Sequence, residues 1–305
     1  MSLSDAPIVI SRWLHFLSLA IVFGASLFWL YAVPFKLPES LLFKSRTERI
    51  VRLSGWVALL SGLGWLVSSI TLMGGSVSSL LDGETLSGFF LETSFGPVWI
   101  ARLVLLATLA VSTLALPGGH RMIAKRWLVV LIAAAAFVSQ AWLGHAAIAK
   151  GNLLSIELAS YMAHVLAVGA WIGGLVPLAL FSIDKRPGEP STAKLFALLL
   201  TRFSHLGIAL VLVILISGIA NSVFRLRSLP DLLTLDYGRA ILGKILLFLL
   251  MLGLAVVNRW RLLPAIESRP EAAVRALRRC IVSELILGAL ALLLAAILGI
   301  LPPRG

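Results

Sequence analysis

The chain has 305 residues, 59% hydrophobic and only 13% charged, with a mean hydropathy of +1.00. A soluble domain runs at roughly 45–50% apolar and about 25% charged, so composition excludes an ordinary soluble protein and indicates an integral membrane one. The formal net charge of +12 reads as the Lys and Arg excess of cytoplasmic loops, not as a nucleic-acid footprint. A single cysteine, Cys280, excludes an internal disulfide and any multi-thiolate metal site.

About 20 apolar residues cross a bilayer as a helix. That measure predicts an all-α protein with eight transmembrane helices, at roughly 8–33, 51–73, 97–116, 126–148, 155–181, 200–224, 239–258 and 280–301. The first apolar run follows no basic segment and reads as a retained helix rather than a signal peptide. Pro34 and Pro38 end the first span, Pro117-Gly118-Gly119 the third, Pro264 the seventh and Pro302-Pro303 the eighth. The loops after spans 1, 3, 5 and 7, with their edges, hold 18 of the 26 Lys and Arg residues. By the positive-inside rule, those loops are cytoplasmic and both termini periplasmic. Tryptophans near span ends, such as Trp99 and Trp127, fit an interfacial aromatic belt.

The chain also resembles itself. His15 precedes Gly24 by nine residues, and His164 precedes Gly173 by nine. Gly96 precedes Arg102 by six, and Gly238 precedes Lys244 by six. Spans 2 and 6 share only a Ser-Gly pair, too short to carry weight alone. Four spans per half is an even number, so the expected architecture is two parallel four-helix repeats, residues 1–150 and 151–305, in one membrane domain. Repeats of this kind often place a site at the interface between halves.

An imidazole inside a hydrocarbon-length segment is costly and by default suggests function. At 1.5 Å per helical residue, His15, His145 and His164 fall about 10, 5 and 13 Å below the periplasmic surface. Three histidines from three helices thus share one layer, and neutral imidazoles meeting at a point make a site for copper, zinc, nickel or iron. Singly, each is better explained structurally, by a hydrogen bond to a neighbouring backbone carbonyl or a place at the membrane interface. His120 and His205 read as interfacial or solvated, and Met73, Met162 and Met251 as gap-fillers of a helix bundle. Arg102 and Lys244, inside spans 3 and 7, read as snorkelling or paired with Asp236, Glu92 or Glu157. The sharper alternative is an anion site. Glu284 is expected to pair with Arg278 or Arg279. No nucleophile–base motif, phosphate loop or dinucleotide fingerprint is present, so no enzyme activity is expected.

Several short motifs, in order, resemble the CopD family of bacterial inner-membrane copper-resistance and copper-import proteins. They are His15, Gly144-His145-Ala146, and His164 followed by Ala170-Trp171-Ile172-Gly173-Gly174-Leu175. Arg202-Phe203-Ser204 leading to Ser217-Gly218, Tyr237-Gly238 to Lys244, and Asn258-Arg259 continue the match. The resemblance implies a multi-pass inner-membrane protein that takes copper from the periplasm to the cytoplasm. It implies His15, His145 and His164 as metal positions, and a periplasmic copper-binding partner of the CopC type, expected here as a separate chain. Two other readings stay open: a membrane b-type haem protein with two of these histidines as axial ligands, and a non-transporting membrane partner or assembly factor.

Overall fold

The computed structural model describes residues 5–34, 42–114, 122–143, 152–184 and 190–302. Eight helices are long and apolar enough to cross a membrane, and no strand occurs among the described residues. A helix satisfies its backbone donors and acceptors internally, which hydrocarbon demands. The helices are α1 (Ala6–Tyr31), α2 (Leu42–Gly74), α3 (Gly96–Leu114), α4 (Met122–Val138), α5 (Asn152–Asp184), α6 (Pro190–Val223), α7 (Asp236–Val257) and α8 (Pro270–Leu298). Pro7, Pro190 and Pro270 sit in the first turns of α1, α6 and α8, where a missing N–H costs nothing.

All eight expected spans are present, but three begin about ten residues early. α2, α6 and α8 start at Leu42, Pro190 and Pro270, not near 51, 200 and 280. The added turns carry Lys44, Arg46, Arg49, Lys194, Arg275, Arg278 and Arg279. Hydropathy registers only the part of a helix that lies in hydrocarbon, so a helix projecting into water beyond it is read short.

α1 and α5 form the centre of the bundle. Their apolar windows are 67% and 78% buried, against 44% or less for the other six. Small residues bring the two backbones together: Ala20 and Gly24 on α1 meet Gly169, Gly173 and Gly174 on α5. Without a hydrophobic drive inside a bilayer, such small-residue seams supply the packing that holds helices together. The start of α1 lies beside the end of α8. Arg12 Nη1 donates to the Gly299 carbonyl at 3.2 Å and Trp13 Nε1 to the Ala289 carbonyl at 2.8 Å. The face where α1, α3, α5 and α7 begin is called the first face below, and the opposite one the second face.

Toward the second face, Arg126 on α4 and Glu48 on α2 form a salt bridge of 2.8 Å, with side chains 3% and 10% exposed. Arg126 also lies over the Trp29 ring at 4.8 Å. Removing one partner of a buried pair leaves the other charge uncompensated. Glu48→Ala is therefore expected to destabilise the fold by about 3–5 kcal/mol. Glu48→Ala combined with Arg126→Met should recover most of that loss in thermal unfolding of detergent-purified protein.

Candidate metal centre

His15, in the third turn of α1, faces α2 and has no exposed surface. Its Nδ1 is 2.9 Å from the Ala58 carbonyl of α2. A carbonyl only accepts, so Nδ1 carries the proton and Nε2 holds the lone pair. That lone pair is taken. Arg102 Nη2, from α3, stands 2.7 Å from Nε2 and donates to it. Arg102 Nη1 donates to Ser139 Oγ at 2.6 Å and to the Ala136 carbonyl at 3.2 Å, both at the end of α4.

His164 on α5 repeats the arrangement against α6. Its Nδ1 is 3.0 Å from Ser217 Oγ. The one hydroxyl proton of Ser217 goes to the Val213 carbonyl at 2.5 Å, so Nδ1–H donates to Ser217 and Nε2 again holds the lone pair. This lone pair has no hydrogen-bond partner among the described residues. Lys244 of α7 lies close enough for its charge to act on the ring.

The two docking sites share a serine and a glycine in the same places, although Nδ1 meets a carbonyl in one and a hydroxyl in the other. Ser61 Oγ bonds the carbonyls of Val57 and Ala58 at 2.5 and 3.3 Å. Ser217 Oγ bonds those of Val213 and Ile214 at 2.5 and 3.4 Å. A methyl group at Gly62 would stand 3.4 Å from His15 Cε1, and one at Gly218 3.6 Å from His164 Cε1. The Ser-Gly pair set aside in the sequence is thus the seat of each histidine, and the equivalent bases Arg102 and Lys244 attend the equivalent rings. The recurrence of Ser-Gly in the second helix of each half was the available signal.

His15 and His164 do not face each other. His15 is held against α2 and His164 against α6, while the α1–α5 crossing lies nine residues further along, at Gly24 and Gly173. His145 and His120 fall outside the described residues. Among the described residues, no three His, Cys, Asp or Glu side chains are gathered as a metal group would need. His205 is exposed and Met251 buried in the core, Met73 is exposed at the end of α2, and Met162 is partly buried beside Ala141 and Leu158.

Arg102 departs from the snorkelling expected of it. It is 1% exposed and points inward, over Trp65 at 5.3 Å and Trp99 at 5.6 Å. Arg12 lies over the same Trp65 ring at 4.7 Å. Neither guanidinium forms an ion pair among the described residues, and the Nε of each is buried without a partner. Indole faces replace carboxylates as the compensation for both charges. Glu284 also departs from expectation. It is buried and accepts from Asn258 Nδ2 at 2.6 Å, while Arg278 and Arg279 are exposed.

Comparison with known proteins adds a lineage to this geometry. Residues 3–156 match the model of the copper resistance protein D-like N-terminal domain, and residues 197–298 that of copper resistance protein D. Inner membrane protein YebZ of Escherichia coli K12 is 27% identical over 96% of the chain and 97% of its own length. Copper resistance protein D of Pseudomonas syringae pv. tomato is 27% identical over 99% and 98%. Copper transport protein CutJ of Bacillus subtilis 168 is 29% identical over 71% of the chain and 41% of its own length. No solved structure matches.

Proposed function

We propose a function from one premise: the chain belongs to the copper resistance protein D family, whose members handle copper in the inner membrane. In this reading the protein moves copper from periplasm to cytoplasm and performs no bond-making chemistry on a substrate. The basic loops put the first face toward the periplasm. Copper delivered there, by a periplasmic carrier of the CopC type, is met by imidazole nitrogens held neutral and pre-aimed.

The observation that carries the reading is the pair of equivalent histidine seats, each fixing the Nδ1–H tautomer and presenting Nε2. Hydrogen bonding at one ring nitrogen is how proteins orient an imidazole for a metal at the other. The two seats differ in readiness. His164 offers its lone pair, whereas His15 joins only when Arg102 releases it. His145, at the end of the fourth span, completes the proposed set of His15, His145 and His164.

The test is metal analysis of protein purified from copper-supplemented cells, with a visible spectrum. His164→Ala is expected to lower bound copper by about tenfold or more and to abolish copper-dependent accumulation in vesicles. Copper content unchanged by substituting all three histidines would overturn the site. A Soret band in the wild-type protein would replace copper with haem as the ligand of these imidazoles.

A further inference from the structure

One buried acid lies outside the proposed histidine set. Glu284 on α8 is 2% exposed, in a bundle that spans hydrocarbon. A carboxylate there is costly unless a cation or a proton compensates it. Its hydrogen-bonding neighbours are both neutral. Asn258 Nδ2 donates to Glu284 Oε1 at 2.6 Å, and the Trp171 side chain reaches the carboxyl from α5.

The charged groups on the helices packed around it are engaged elsewhere or turned away. Arg259, beside Asn258, donates to Ser204 Oγ of α6 at 2.6 Å. Arg202 of α6 donates to the Ala32 carbonyl at 3.0 Å, and His205 is exposed. Arg278 and Arg279 are exposed on α8 itself, and Arg275 pairs with Glu271 in solvent. Cys280, one turn before Glu284, is a partly buried thiol. Residues 16–30 of α1 and 165–182 of α5 contain no ionisable side chain.

A second observation comes from Asn258. It is 6% exposed, and its Oδ1 is buried with no hydrogen-bond partner. It also opens a π-helical turn, Asn258–Leu262, at the end of α7. Such wide turns are frequent at functional positions. An orphaned buried acceptor calls for a missing donor. A carboxylic acid and a primary amide are both planar forks that pair prong to prong. The amide N–H meets the acid carbonyl, and the acid O–H meets the amide oxygen. A proton on the second oxygen of Glu284 supplies the donor that Asn258 Oδ1 lacks.

We propose that Glu284 and Asn258 form a proton-binding site, an acid–amide pair that takes up one proton to become neutral and releases it to leave the carboxylate. Nothing else is made or broken in that step. The site lies away from the histidines, where the end of α7 meets α8. The proposal does not depend on copper.

The experiment is infrared difference spectroscopy of the whole, copper-free protein in lipid nanodiscs, in H2O and D2O, titrated from neutral to alkaline pH. The wild type is expected to show a protonated-carboxyl carbonyl band near neutral pH that shifts in D2O and disappears with alkali. Glu284→Gln should lack that band. Asn258→Leu keeps the acid but removes the hydrogen bond to its carbonyl, so the band should move to higher frequency. No Glu284-dependent band near neutral pH overturns the proposal. So does a carboxylate band that responds to exchange of sodium for potassium, which would make the site one for a metal cation. A band unmoved by Asn258→Leu overturns the pairing. Because no copper is added, failure here is separable from failure of the histidine reading.

Discussion

Arg102→Met is expected to raise the affinity for copper at His15 by about two to three orders of magnitude. Two effects act together. Arg102 Nη2 occupies the His15 lone pair at 2.7 Å, so a metal must displace a hydrogen bond made by an ionised donor. With Arg102 displaced just far enough to admit it, a copper ion on Nε2 would also stand on the order of 4 Å from the guanidinium. Like charges at that distance repel by about 4 kcal/mol at an effective dielectric of 20, and each 1.4 kcal/mol is about tenfold in affinity. The substitution is tolerable for the fold. Met keeps the apolar stem against Trp65 and Trp99, and the Ala136 carbonyl retains its bond from Ser139 Oγ at 2.8 Å.

Competition titration against a chromophoric copper chelator measures the change. Arg102→Lys should stay near the wild type, because the charge remains. Arg102→Met with His15→Ala should lose the gain, because the effect runs through that ring. A melting temperature kept by Arg102→Met with no change in copper affinity would sink the idea that Arg102 guards His15. The guard also explains an asymmetry. In the wild type, His15→Ala should cost less copper than His164→Ala, since only His164 offers its Nε2 at rest.

Much of this architecture is legible without coordinates, and the parts that are not have physical causes. Eight spans follow from composition, because an apolar window of span length has few other uses. The aqueous first turns of α2, α6 and α8 are illegible to hydropathy, because Lys44 or Arg275 reads alike in a loop and on a projecting helix. The equivalence of His15 and His164 was visible in their spacing to Gly24 and Gly173. What they face was not. Depth places both rings in one layer, but azimuth around the helix decides which neighbour each one meets, and that is set by packing. The rings turn to Ser61-Gly62 of α2 and Ser217-Gly218 of α6. Arg102 misled for a related reason. A long cation near a span end usually snorkels, yet Trp65 and Trp99 supply aromatic faces that keep it inside. Those two tryptophans come from α2 and α3, 34 residues apart in the chain, so the cage exists only after packing.

Gly173→Ala, a change of one methyl group, is expected to destabilise the protein by about 3 kcal/mol or more, at the upper end of what overpacking usually costs. A Cβ built at Gly173 overlaps the Ala20 carbonyl oxygen and lies 2.8 Å from its carbon and 2.9 Å from Gly24 Cα. The reciprocal Cβ at Gly24 overlaps the Gly169 carbonyl oxygen and lies 2.7 Å from Gly173 Cα and Gly174 N. Every atom in the way is backbone, so no rotamer change relieves the clash. The axes of α1 and α5 must separate, and dispersion along the whole seam is lost with them. The loss should extend beyond stability, since both histidines are carried on these two helices, nine residues from the crossing. Gly207→Ala and Gly253→Ala serve as controls, because a Cβ there meets nothing within 4 Å. Both should be neutral or stabilising by up to about 1 kcal/mol through helix propensity. Thermal unfolding in detergent compares the three variants. Gly173→Ala melting with the wild type would mean that α1 and α5 do not cross at these glycines, and the matched histidine seats would lose their common frame.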